Sequence, residues 1–263
     1  MLEVSDEFDG RPEDMRERLF RFYWWLEKKM VPGLGSSQYA YLASLSAFFP
    51  PRARWLDVGC GHNIFGSWMG AEERDIVSRS RAVVGIDLDL DSVRKHATIR
   101  DRLLCRLEDL PFEAGAFDVV TANMVVEHVE DPVGALSAIH KVLAPSGIFV
   151  FHTSNRRNPL IRIAAHVPQS LKNAIIKFFE NRASEDVYPT WYRFNLTEQI
   201  RAAAAEAKFE IVRLDHISTS ALTVMLGPLV AMELLWIRWI GAPRRAELRT
   251  NIIGVLRKPA ESN

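Results

Sequence analysis

The chain has 263 residues, 33 Lys and Arg against 33 Asp and Glu, and is 48% hydrophobic. That apolar content builds a full core and excludes a disordered chain, while the balanced charge leaves no basic field for a polyanion, so nucleic acid is not an expected partner. Cys60 and Cys105 form neither a disulfide framework nor a Cys-x-x-Cys zinc site, and the acidic start lacks the basic-then-apolar order of a signal peptide, so a cytoplasmic setting is expected.

Met15, Leu19, Phe22, Trp25, Leu26 and Lys29 recur at helical spacing and predict a helix over 12–31, its apolar stripe widened by Phe20, Tyr23 and Trp24. Pro32, Gly33 and Gly35 break it, and a second helix over 36–49 stops at Pro50-Pro51. These two helices form an expected N-terminal cap over residues 1–51. Trp55-Leu56-Asp57-Val58 then reads as a short buried strand running into Gly59-Cys60-Gly61, and Ala82 to Asp87 as a second. Further strands are expected at 103–104, 117–122 and 147–152, with helices over 91–99 and 132–143. This alternation predicts an α/β fold, a Rossmann-like doubly wound sheet covered on both faces, with its core over 52–153. The rhythm fails after His152, so residues 154–195 read as an insertion on the acceptor side. Over 196–263 it returns with a helix over 196–207, a strand over 209–216, an apolar helix over 221–240 and a last strand over 251–256. The sheet is expected to be mostly parallel, with that last strand antiparallel.

In an open parallel sheet the ligand lies beyond the carboxyl ends of the strands. Gly59 and Gly61 allow a tight turn and close ligand approach, a bulky side chain at either is expected to clash, and Asn63 tolerates a left-handed backbone. Asp87, at the end of the second strand, suits two ribose hydroxyls. A dinucleotide site wants a third glycine where this chain has Ile64, whereas an aspartate two residues before the first glycine suits a cationic, phosphate-free nucleoside.

Five motifs in order carry a resemblance: Leu56-Asp57-Val58-Gly59-Cys60-Gly61, Gly85-Ile86-Asp87, Glu108-Asp109-Leu110-Pro111-Phe112, Phe117-Asp118-Val119-Val120 and Glu127-His128-Val129. Over 54–152 the chain resembles the class I S-adenosylmethionine-dependent methyltransferases, in the small-molecule branch that includes quinone-biosynthesis enzymes. The resemblance implies S-adenosylmethionine as cofactor, bound by Asp57, Gly59, Cys60, Gly61, Asp87, Leu88, Arg106, Leu107 and Asn123. It places Gly59 and Gly61 along the methionine moiety, Leu107 beside adenine and Asn123 near the transferred methyl. Two departures stand out: His62-Asn63 replaces a common Thr-Gly pair, and Arg106 stands where an acid is common near adenine. Asn123 and His128 are the catalytic candidates, His128 either as base for a substrate hydroxyl or as a packing residue. Some relatives hold magnesium with Glu-x-x-Glu-His; here Met124 replaces the first carboxylate, so no metal is expected.

Trp191, Tyr192 and Arg193 offer stacking and an anion fork, and with His152 they are the expected acceptor contacts. The stretch over 221–240 nears the length of a membrane span, but Glu233, Arg238 and Gly227-Pro228 spoil it and it lies between two strands of one sheet. A monotopic membrane contact, a dimer interface, a lid and plain burial all stay open. Arg238, Arg244, Arg245 and Arg249 suit anionic lipid. Leu171 to Phe179 is a further apolar stretch. The expected function is methyl transfer to a small or lipid-linked acceptor, the alternative a non-catalytic module of the same fold that binds a membrane or protein partner.

Overall fold

Alternating burial along the strands sets the architecture. In β1 (Arg54–Val58), Trp55 and Leu56 are both fully buried although they point to opposite faces, so this strand is covered on both sides. A computed structural model describes residues 15–166 and 189–260, apart from 222, 225, 226 and 228. The remaining strands are β2 (Ala82–Asp87), β3 (Asp101–Leu104), β4 (Phe117–Asn123), β5 (Leu143–Ser154), β6 (Glu210–Ile217) and β7 (Asn251–Arg257). They form one seven-stranded sheet in the order β3-β2-β1-β4-β5-β7-β6. The first five run parallel, and β7 lies antiparallel between β5 and β6, as the sequence led us to expect. The carboxyl ends of β1, β2, β4 and β5, at Val58, Asp87, Asn123 and Ser154, therefore share one end of the sheet.

The helices are α1 (Met15–Met30), α2 (Ser37–Phe48), α3 (Gly70–Ser78), α4 (Leu90–Lys95), α5 (Pro132–Val142), α6 (Pro159–His166), α7 (Thr197–Glu206) and α8 (Leu229–Ile240). One apolar cluster joins Leu56, Val120 and Phe149 to Leu136 and Ile139 of α5 and Ile200 of α7. On the other face Trp55, Val119 and Val150 pack with Tyr41 and Leu45 of α2 and Ile76 of α3. A third cluster lies off the sheet, where Tyr23 of α1 meets Val230, Leu234 and Ile237 of α8.

Three elements depart from expectation. Instead of reaching residue 99, α4 stops at Lys95, because His96 turns extended and its Nδ1 accepts the Thr98 and Ile99 N–H groups that would have continued the helix. His96 is thereby buried. The apolar helix starts at Leu229, not Ala221, following Gly227 at φ +59°. Within the expected insertion, α6 is helical: Pro159 opens it, and Asn158 Oδ1 accepts from Leu160 and Ile161 N–H, a capped start that sequence reasoning passed over. Leu171 to Phe179 lies outside the described residues.

Candidate active site

The loop after β1 turns through Gly59 at φ +64° and Gly61 at φ +54°, a hand that side-chain-bearing residues avoid. A Cβ on Gly59 would stand 2.3 Å from Val125 Cγ2, so the clash expected there is real. At Gly61 nothing lies within 4 Å of that position, so the expected clash with protein is absent and the glycine faces open space. Asn63 stays out of the left-handed region. Its neighbour Ile64 is fully buried beside Met69 and Ile76, anchoring the loop where a dinucleotide fold would put glycine.

Asp87 ties the second strand end to this loop. Gly61 N–H donates to its Oδ2 at 2.8 Å and Asp89 N–H to its Oδ1 at 2.9 Å. A carboxylate accepts about four hydrogen bonds, so two lone pairs are left for vicinal hydroxyls. The open Gly61 and this half-satisfied carboxylate fit the ribose and methionine portions of S-adenosylmethionine. Leu88 and Met124 add exposed apolar side chains after the strand ends.

Asp57 works from below. Parallel register sets it opposite Thr121, whose hydroxyl donates to Asp57 Oδ1 at 2.5 Å and accepts from Trp55 Nε1 at 2.6 Å. Burial raises the Asp57 pKa well above the usual carboxylate range. Cys60 turns its side chain into the core. Its side chain is fully buried against Gly85, and its N–H donates to Ile86 O. Glu73 of α3, which the sequence reading missed, accepts from Ile64 and Phe65 N–H and from the Thr98 hydroxyl. On the adenine side, Leu107 packs its side chain into the core and Arg106 is exposed beside Glu108 at 3.6 Å. Any Leu107 contact with the base would therefore use backbone atoms.

Asn123 gathers three elements. Its Nδ2 donates to Gln38 Oε1 of α2 and to Ile64 O of the glycine loop, both at 2.8 Å. Its Oδ1 lies 2.9 Å from His152 Nδ1, and His152 Nε2 lies 3.1 Å from Asn251 Nδ2. These partners fix the tautomer: Nδ1 carries the proton for Asn123 and Nε2 accepts from Asn251. His152 is 1% exposed and stacks on Tyr41, and burial lowers its pKa to about 4. The structure thus makes His152 a neutral positioning residue, not the acceptor contact expected of it. Gln38 carries no motif and lies 85 residues from Asn123, so no sequence signal pointed to it.

The acceptor candidates stand next to the turn after β4. Trp191 and Tyr192 N–H both donate to Glu127 O, Arg193 donates to Glu130 O, and His128 Nδ1 lies 3.0 Å from Pro189 O. With Nδ1–H on that carbonyl, the basic lone pair of His128 is on Nε2. Trp191 stays exposed with the Arg193 guanidinium over its ring, and Tyr192 sits at φ +53° under Arg156. The Glu127 carboxyl is buried, its pKa raised by desolvation, and accepts from Thr153, which in turn accepts from Asn195. Among the described residues no cluster of three His, Cys, Asp or Glu is placed to hold a metal ion.

A model of the methyltransferase domain family matches residues 36–213. The ubiquinone biosynthesis O-methyltransferase of Psychrobacter arcticus is 33% identical over 147 residues, 51% of this chain and 52% of that protein. The enzyme of that name from Neisseria meningitidis serogroup A is 36% identical over 115 residues, 40% and 45% of the two chains. This chain thus spans about half the length of the curated relatives it matches. Among solved structures, the geranyl diphosphate C-methyltransferase of Streptomyces coelicolor, crystallised with S-adenosyl-L-homocysteine, aligns with TM-score 0.53 at 16% identity over 95% of this chain and 86% of that one. The [4+2]-cyclase SpnF aligns with TM-score 0.52 at 19% identity, over 92% and 94%. At such identities the likeness concerns the fold alone. The family match over the glycine loop, Asp87 and the β4 turn goes further: this chain belongs to the methyltransferase domain family, whose cofactor is S-adenosylmethionine.

Proposed function

We propose that the chain transfers a methyl group from S-adenosylmethionine to an oxygen of a small, lipid-linked acceptor. The observation that carries this reading is the Asp87 carboxylate holding Gly61 N–H beside an open glycine face, at the end of the sheet that also presents Asn123 and His128. The oxygen acceptor and the lipid link follow the ubiquinone biosynthesis O-methyltransferase relatives. When bound, S-adenosylmethionine would supply a methyl group activated for in-line transfer to the acceptor oxygen, with its sulfonium as a thioether leaving group. The chain's task is orientation and removal of one proton. Asn123, locked by Gln38, Ile64 O and His152, positions the glycine loop against β4 and β5. His128 Nε2 takes the acceptor's hydroxyl proton, and Trp191 and Arg193 border the acceptor.

The partner side of this reading is a membrane surface met through α8. Met232, Leu235 and Trp239 are exposed on its outward side, and Arg245 sits 3.8 Å over the Trp239 ring. No helix among the described residues is long and apolar enough to cross a membrane. A test incubates the protein with methyl-labelled cofactor and phenolic quinone precursors bearing or lacking a prenyl tail. Label in an ether product, favouring the prenylated substrate, is the expected result. Cofactor binding by calorimetry without transfer to either precursor would overturn the quinone-like oxygen acceptor, and no cofactor binding would favour the non-catalytic module instead.

A further inference from the structure

Across the sheet from the glycine loop, at the amino ends of β2 and β3, lies an open cleft of about 720 Å³. Four guanidinium side chains line it, from Arg74 on α3, Arg81 before β2, Arg100 before β3 and Arg102 on β3, against the single carboxylate of Asp101. The chain as a whole has equal numbers of acidic and basic residues, so this is a local concentration of charge. None of the four has a carboxylate within ion-pair distance among the described residues. Arg102 donates to the His96 carbonyl at 3.2 Å, which leaves four of its five N–H groups without a partner among the described residues. Guanidinium groups gathered along one wall make a local positive potential that concentrates anions there. His96 lies in the same wall, its Nδ1 accepting the Thr98 and Ile99 N–H groups.

We infer that this cleft binds a phosphate-bearing ligand. The planar N–H fork matches two phosphate oxygens at once, and a doubly or triply charged phosphate or diphosphate answers an excess of three positive charges better than a carboxylate does. The volume admits a small phosphorylated molecule rather than a bare ion alone. The site is separate from the methyl-transfer site, which lies at the opposite ends of the same strands.

The test titrates inorganic pyrophosphate into the full chain by calorimetry at low ionic strength. Saturable binding is expected in the wild type. Arg100→Ala and the double variant Arg74→Ala, Arg102→Ala should each weaken it about tenfold or more, the scale of one charged hydrogen bond. Arg201→Ala, an exposed arginine on α7, should leave it unchanged. S-adenosylmethionine binding should persist in every variant, which both certifies the fold and keeps this result separate from the methyltransferase reading. Absence of saturable binding, or equal affinity in wild type and both cleft variants, overturns the inference. Flotation with phosphatidylglycerol vesicles assigns the source: loss of flotation in Arg100→Ala identifies a lipid headgroup, and unchanged flotation beside weakened pyrophosphate binding identifies a free phosphorylated ligand.

Discussion

Gly59 and Gly61 share a left-handed backbone, yet a methyl group meets different surroundings at each. Gly59→Ala adds a collision with Val125 to the backbone penalty, so a stability loss of about 2–4 kcal/mol is expected in urea unfolding. Gly61→Ala meets open space and should cost about 1 kcal/mol in stability, while losing more in cofactor affinity because its Cβ enters the ligand's side. Equal stability losses in the two would contradict this geometry. Asp87→Ala removes the partner of Gly61 N–H together with the ribose acceptor, and calorimetry should show S-adenosylmethionine binding weakened by about 1.5–3 kcal/mol. His152 gives a pH signature. Its pKa is lowered to about 4 in the folded chain against about 6.5 unfolded, so below pH 6.5 the unfolded state binds the extra proton. Stability contributed by neutral His152 is therefore present above about pH 6.5 and lost as pH falls toward 4. Asp57 and Glu127, both raised by burial, act in the opposite sense, so the readout is a difference: His152→Gln should flatten the acid-side loss of urea midpoint relative to wild type.

Among the elements, α8 separates what pattern reveals from what packing decides. Apart from Glu233 and Arg238 its sequence is apolar, and hydropathy alone could not say which residues pack: Leu234 is fully buried against α1 whereas Met232 is 68% exposed. Met232→Ser, Leu235→Ser and Trp239→Ser together should abolish flotation with anionic liposomes at low salt while cofactor binding persists. A wild-type protein that never floats would remove the membrane role of this helix, and light scattering would then test it as a dimer contact. The same contrast runs along the chain. The run from Ala82 to Asp87 was legible as a strand because β-branched residues end abruptly on an acid, and the expected bounds match β2. The Asp57–Thr121 pair was not legible, since it depends on which strand lies beside β1 and in which register. Gln38 and Glu73 owe their places to hydrogen bonds with other elements of the fold, which no local pattern encodes.

At the scale of the whole molecule, the sheet closes through its last strand. Residues 251–256 are all buried, and β7 pairs with the inner strand β5 on one side and the edge strand β6 on the other. The same strand presents Asn251 to His152, so the end of the chain helps set the tautomer that orients Asn123 beside the cofactor loop. Ending the chain after Thr250 would remove Ile252, Ile253, Val255 and Leu256 from both faces of the core and leave two strand edges bare. That truncation should yield insoluble protein or one without a cooperative thermal transition. Ending the chain after Lys258 keeps β7 together with the Lys258 ammonium, which donates to the His140 and Leu143 carbonyls at 2.9 and 2.7 Å and ties the strand to the end of α5. This longer form should be soluble, melt within a few degrees of the full chain and bind S-adenosylmethionine with the same affinity. A soluble, cofactor-binding product from the shorter truncation would show that β5 and β6 can pair without β7, and that the Asn251 contact does not hold His152 in place.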